Sequence, residues 1–291
     1  IGIKKAGIKS VVTIHDLIFE RYPNQYNRID VQIYHRKFNY ACKHADKIIA
    51  ISKQTKEDII QFYKIPANKI AVCYQSCNPA FGIEASNAEK QFIKQQYNLP
   101  DKFFLYVGSI IERKNLLTIC KAMQQLKDKL DISLIVIGEG KKYKHKVKEF
   151  INKHSLQSKI IFLSEAQSLQ SQKSFQSSVD FPAIYQQALC MIYPSTFEGF
   201  GIPLLEALWS KLPVITSNVS SLPEAGGEGA LYIDPMNAEQ MADTMKRIYI
   251  DAELRKKLMI KGWQHAQNFT REKTAACVMN VYESTFLNAT L

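Results

Sequence analysis

Short apolar runs of strand length alternate with stretches of helical period along most of the chain. In the first part, strands are predicted over 11–14, 47–51 and 69–73, with helices over 31–45 and 54–63. Ser52 stands ahead of Lys56, Glu57 and Asp58 and reads as the hydroxyl cap of the second helix. A connecting segment follows, with Asn78-Pro79, Gly82 and a helical stretch over 88–97. The pattern then restarts. Strands are predicted over 103–107, 132–137, 159–163, 189–193, 213–216 and 230–233, with helices ending near 127 and over 141–153, 182–188, 203–210 and 237–250. Such alternation argues an α/β class with parallel sheets and crossover helices. Two amphipathic helices close the chain, 252–269 and 271–287, the first with Leu254, Leu258, Trp263 and Ala266 as its apolar set. Residues 167–179, rich in Ser and Gln and without period, read as a long surface loop. The domains expected are 1–85, 86–269 and a terminal helical segment 270–291 that packs back towards the first.

Composition narrows this picture only a little. A chain of 291 residues with 46% hydrophobic residues is large enough for two domains with real cores. No run approaches the ~18 apolar residues of a membrane span and no leader pattern opens the chain, so a cytoplasmic location is expected. The chain opens on Ile1 and reaches a strand almost at once, which reads as a first domain missing its beginning. Six cysteines, at 42, 73, 77, 120, 190 and 277, lie in apolar or helical segments and read as small buried hydrophobes. Cys73 and Cys77 lack zinc-site spacing, so no metal is expected. The net charge of +11 attracts anions, whether nucleotide sugar, nucleic acid or an anionic membrane surface. The densest basic run, 141–148, reads as a solvated helix face, not a nucleic-acid patch.

Candidate chemistry concentrates in Glu198-Gly-Phe-Gly-Ile-Pro-Leu-Leu-Glu206, two carboxylates with a glycine turn and a short helix between them. The predicted strand before it puts Glu198 at a strand's carboxyl end, where open α/β sheets bind ligands. Gly199 and Gly201 admit close backbone approach, and Pro203 suits a helix start whose free N–H groups favour anions. The plainer reading is an ordinary loop with Glu206 complementing a helix dipole. Gly108 and the loop to Arg113-Lys114-Asn115 follow the first strand of the second half, at the same edge. A guanidinium and an ammonium there can neutralise a diphosphate. Lys114-Asn115 can equally be a capped helix start.

Taken together, these stretches resemble the retaining glycosyltransferases of family 4, the glycosyl transferases group 1. The matching stretches are Thr13-Ile-His-Asp-Leu17, 45–52, Tyr106-Val-Gly-Ser, Arg113-Lys-Asn115, Ile135-Val-Ile-Gly-Glu-Gly140, Tyr193-Pro-Ser, the Glu198–Glu206 motif and Leu222-Pro-Glu-Ala-Gly226, in family order. The resemblance implies the GT-B fold: two Rossmann-like doubly wound parallel sheets facing a cleft, the first domain incomplete in this chain. It implies that Arg113 and Lys114 bind the donor diphosphate, Glu206 the ribose, and Glu198 hydroxyls of the transferred sugar. Gly108, Phe200, Gly201 and Leu205 are further donor-side positions. His15 is the catalytic candidate of the first domain together with Glu198, and Ser52 lies near the same cleft. A lone His after a strand serves equally well as a structural hydrogen-bonding residue.

The activity so implied is transfer of a hexose from a nucleotide-diphosphate sugar to a glycan or lipid-linked cell-envelope acceptor, with retention and without a metal or other cofactor. Peripheral contact with an anionic inner membrane face, and no nucleic-acid partner, belong to the same expectation. A sugar-phosphate synthase or phosphorylase on the same fold, and a noncatalytic nucleotide-sugar or anionic-surface binder, are the alternatives. Three departures stand out: the early start, Ser76-Cys-Asn78 where relatives carry a Gly-Val-Asp type turn, and the long stretch 165–180. With its first sheet incomplete, the chain alone is expected to be weakly active or inactive.

Overall fold

The computed structural model describes residues 8–165 and 172–287. By compactness the chain divides into two units. The first gathers Ile1–Ser76, Phe197–Gly201 and Asn268–Leu291, and the second Cys77–Thr196 and Ile202–Gln267.

Three parallel strands in the order β1-β2-β3 form the sheet of the first unit: β1 (Val11–Ile14), β2 (Lys47–Ala50) and β3 (Ile70–Val72). Thr13 pairs with Ile49 and Ile49 with Ala71, so the strands are in one register across the sheet. Parallel neighbours need crossovers, and the helices Arg28–His44 and Lys53–Tyr63 supply them. One face buries Ile14, Leu17, Phe19, Cys42, Ile48, Ile59, Tyr63 and Ile70. The other buries Ile49 and Cys73 against Val281 of the final helix, Arg271–Leu287. A disulfide joins Cys73 to Cys277 across that face, with 5.7 Å between their Cα atoms. The expectation of six free, hydrophobic cysteines is therefore corrected for this pair. It holds for Cys42, Cys77, Cys120 and Cys190, which are buried thiols.

The second unit carries six parallel strands: β4 (Phe103–Val107), β5 (Ser133–Ile137), β6 (Ile160–Phe162), β7 (Cys190–Tyr193), β8 (Val214–Ser217) and β9 (Ala230–Ile233). Their order is β6-β5-β4-β7-β8-β9, so the winding reverses between β4 and β7. Strands buried on both faces read as continuous apolar runs, and β4 is buried along its whole length. Helices Leu116–Leu126 and Ala238–Ile250 pack together over one part of the core, which includes Phe104, Ile119, Met123, Leu134, Ile192, Met241 and Met245.

Some boundaries differ from the sequence reading. The helix expected over 182–188 is Phe181–Tyr185, and the one expected over 252–269 is Ala252–Ala266. In the latter, Leu258, Gly262 and Ala266 face the core while Trp263 is 40% exposed, because Gly262 seats the helix closely on Gly229. The 167–179 stretch includes a short helix, Lys173–Gln176, and its residues 167–171 lie outside the described residues. Among the described residues no helix is long and apolar enough to cross a membrane.

Candidate functional site

The reversal between β4 and β7 is a topological switch point, and the carboxyl ends of its strands are where open α/β sheets hold ligands. Two loops meet there without side chains between them. A Cβ on Gly138, at the end of β5, would lie 1.9 Å from the carbonyl oxygen of Gly108, at the end of β4, so residue 138 has to be glycine. The Gly108 N–H donates to Ile137 O at 3.0 Å and the Ile110 N–H to Glu139 O at 2.7 Å, which fixes the path of the loop towards Arg113.

That loop closes in a single 3-10 turn, Glu112–Lys114, and ends on Asn115 in the left-handed region with φ 60°. Asn115 does not cap the helix Leu116–Leu126 in the usual way. Its Nδ2 donates to Pro194 O at 3.2 Å and Pro235 O at 2.6 Å, and its Oδ1 accepts from Thr118 Oγ1 at 2.6 Å. Asn115 is thus a buried staple between the loops that follow β4, β7 and β9. The Arg113 carbonyl accepts from the Thr196 N–H at 2.8 Å, tying the same two edges again. The Lys114 ammonium hydrogen-bonds the Tyr193 hydroxyl and lies 4.7 Å from the centroid of that ring. Gly108 is the small neighbour of both: a Cβ there would meet Lys114 and Tyr193 at 3.9 Å.

Glu206 lies in the middle of the helix Ile202–Trp209, whose first turn holds no acidic residue. The dipole reading of Glu206 therefore fails. Its carboxylate instead accepts a hydrogen bond from Tyr185 Oη at 3.0 Å, in a setting where burial pushes the carboxyl pKa from 4.5 to about 7 against the opposing effect of that bond. The Tyr185 phenol is raised in turn, first by burial and then by the Glu206 charge, with Tyr193 and Cys77 adding to it. Two hydrogen-bonded pairs, Lys114 with Tyr193 and Tyr185 with Glu206, therefore lie in the second unit, with Tyr193 close enough to act electrostatically on Tyr185. Leu205 is fully buried, main chain and side chain together, so it supports the site from within the core. The hydroxyls of Ser195 and Ser217, just past β7 and at the end of β8, are buried without a hydrogen-bond partner among the described residues.

The other half of the Glu198–Glu206 motif packs with the first unit. Gly199 lies on the loop after β1: a Cβ there would come within 2.5 Å of His15 O, so glycine is required for this approach. Thr55 Oγ1 lies within reach of both carbonyls, 3.2 Å from His15 O and 3.4 Å from Gly199 O. Phe197 packs edge-on to Tyr22 and beneath Arg21, and Phe200 against Tyr74 and Phe269 at 5.6 and 5.3 Å. Gly201 and Glu198 are buried, the latter 7% exposed. His15 is exposed, with Nδ1 3.2 Å from Gln75 Nε2, beside a hollow of about 250 Å³ lined by Thr13, Asp16, Phe19, Tyr26 and Phe38. Ser52 is fully buried and accepts from the Thr55 N–H at 3.0 Å, the N-cap that its position predicts.

Three residues of this region have partners that the sequence does not reveal. Tyr185 is an ordinary aromatic on a short helix until the fold sets it on Glu206. Asn115 resembles a cap. Arg21 lies 37 positions from Asp58, yet its Nε donates to that buried carboxylate at 3.0 Å while its guanidinium covers Phe197. Among the described residues no group of three or more His, Cys, Asp or Glu side chains is arranged to hold a metal ion.

Residues 87–264 match the family Glycosyl transferases group 1, and residues 1–81 match Glycosyltransferase Family 4. The chain belongs to the glycosyl transferases group 1. It is 26% identical over 278 residues to O-antigen chain mannosyltransferase B of Escherichia coli, covering 94% of this chain and 70% of that protein. To O-antigen chain mannosyltransferase RfbU of Salmonella typhimurium it is 27% identical over 238 residues, covering 81% of this chain and 60% of the relative. The chain thus spans between about three fifths and seven tenths of these two relatives. Its fold is similar to that of Anabaena Alr3699/HepE, a structure in complex with UDP and glucose, with TM-score 0.77, 16% identity and coverage of 97% and 72%. The two parallel sheets are those of the GT-B glycosyltransferases.

Proposed function

We propose that the protein is a retaining glycosyltransferase that moves a hexose, with mannose the first candidate, from a nucleotide-diphosphate sugar to a glycan or lipid-linked acceptor of the cell envelope. The observation that carries this is the pair of hydrogen bonds Lys114–Tyr193 and Tyr185–Glu206 in the second unit, whose switch point lies between β4 and β7, with Arg113 on the turn beside Lys114. It offers cations for a diphosphate and a carboxylate for ribose hydroxyls within one unit. Names of the relatives support the sugar and the acceptor class, and the UDP complex of the Anabaena protein supports the donor class.

Departure of the nucleotide diphosphate develops negative charge, and preorganised cations stabilise it. Arg113 and Lys114 fill that role in this reading, so that no metal is required. The attacking hydroxyl enters on the face that the leaving phosphate vacates: its oxygen bonds the anomeric carbon as the bond from that carbon to the phosphate oxygen breaks, and its proton passes to the departing phosphate, which retains the anomeric configuration. Glu198 holds hydroxyls of the transferred sugar and His15 approaches the reacting carbon. The place of action is the cytoplasmic face of a membrane, touched through the basic and apolar surface of the helix Arg28–His44.

Titration calorimetry with UDP-, GDP- and ADP-sugars tests the donor site. Glu206→Ala and Arg113→Ala are each expected to weaken binding of the preferred donor about tenfold or more, as expected for loss of a charge-assisted hydrogen bond of ~1.5–3 kcal/mol. Unchanged affinity in both variants would refute the assignment. Transfer of labelled hexose to envelope glycan, without phosphate release from a sugar phosphate, separates this activity from a phosphorylase.

A further inference from the structure

Glu206 is held from a different element. Tyr185 is the last residue of the helix Phe181–Tyr185, its side chain fully buried and packed edge-on against Phe81 at 5.0 Å. Phe81 is fixed in turn, since its carbonyl accepts from Ser210 Oγ at 3.2 Å, one residue past the helix that carries Glu206. A tyrosine so enclosed has one rotamer available, and its hydroxyl is placed on Glu206 Oε2 at 3.0 Å.

We propose that Tyr185 is the positioning residue of the donor site: its hydroxyl fixes the Glu206 carboxylate in one orientation through Oε2 and leaves Oε1 to accept from the ribose. This rests on the reading of Glu206 as a donor-binding residue. A glutamate that must be ordered at the moment of binding loses rotamer freedom then, and prior fixation removes that cost. The same hydrogen bond also favours the charged form of the acid, because a donated proton stabilises a carboxylate. Among the described residues Tyr185 is the ionisable side chain that acts on Glu206, while Tyr193 and Cys77 act on Tyr185. Without the hydroxyl, burial acts unopposed and Glu206 is protonated at a higher pH. A protonated carboxyl is a poor acceptor for two ribose hydroxyls.

The test uses three probes on the intact protein: UDP, GDP and inorganic pyrophosphate, which has the diphosphate but no ribose. Binding is measured from pH 6 to 9 for the wild type, Tyr185→Phe, Glu206→Gln and the double variant, using whichever nucleotide binds the wild type more tightly. Tyr185→Phe is expected to weaken that nucleotide about tenfold at pH 7, to regain part of the loss by pH 9, and to bind pyrophosphate as the wild type does. The double variant is expected to be no weaker than Glu206→Gln. Wild-type nucleotide binding by Tyr185→Phe beside a weakened Glu206→Gln overturns the positioning role and leaves the donor reading standing. An equal loss towards pyrophosphate overturns it in favour of a packing role. Wild-type binding by Glu206→Gln sinks the donor reading itself.

Discussion

At the scale of single residues, Glu206 is under two opposed effects, and their balance has a consequence for stability. Burial raises its pKa to about 7 from 4.5, while the Tyr185 hydroxyl lowers it, so burial dominates. A carboxyl with a raised folded-state pKa binds its proton more tightly in the folded protein than in the unfolded chain. Its contribution is therefore full below about pH 4.5 and is lost as the pH climbs through about 7. Replacement by Gln keeps the shape and removes the titration. The melting temperature of Glu206→Gln is expected to equal or fall below that of the wild type at pH 5 and to gain on it steadily up to pH 8. Calorimetric melts across that range measure it, and a difference independent of pH would place Glu206 among ordinary exposed carboxyls. Carboxyls shifted in this way by burial cluster at functional sites in proteins, which is in keeping with the donor role proposed for Glu206.

Elements show which features a sequence can disclose. Strands β1 to β9 were all legible, because a strand buried on both faces is a short apolar run whatever its neighbours. The glycine turn, the short helix to Trp209 and the cations after β4 were legible too, since turn and helix-start chemistry is local. What was hidden depends on distant partners. Cys73 and Cys277 are 204 positions apart, and nothing in their flanking residues points from one to the other. The same holds for Tyr185 on Glu206 and for Gly199 against His15, contacts made only after both elements are in place. The disulfide is testable at this scale. In denaturant without reductant, four thiols are expected to react with a thiol reagent, and six after reduction. Six from the outset would remove the bond. Cys277→Ser is expected to cost about 2–5 kcal/mol in the first unit, the usual range for loss of a native disulfide, seen as a lower unfolding midpoint because the final helix loses its covalent hold on β3.

For the molecule as a whole, charge and exposed apolar surface point the same way. Lys and Arg outnumber Asp and Glu by 38 to 27. The helix Arg28–His44 buries only Cys42 fully and leaves Ile29, Ile33 and Tyr40 at 66%, 43% and 51% exposure, beside the exposed Arg36 and Lys37. Spacings of four and seven residues set Ile29, Ile33 and Tyr40 along one side, with the cations next to them. Basic and apolar residues so placed suit the membrane contact proposed for this helix. Each Lys or Arg near an anionic surface contributes about 1 kcal/mol, so Arg36→Ala with Lys37→Ala is expected to lower binding to phosphatidylserine-containing vesicles roughly 30-fold. Ile29→Ser with Ile33→Ser is expected to weaken binding by a similar order through lost apolar burial, with little dependence on salt. Sedimentation with vesicles at two salt concentrations separates the two contributions. Equal binding to neutral and anionic vesicles would rule out the charge contribution; no binding to either would rule out the membrane role, and acceptor access would then have to come through solution. If the charge variants lose both vesicle binding and transfer to a lipid-linked acceptor while keeping transfer to a soluble glycan, the surface serves acceptor delivery and not the chemistry.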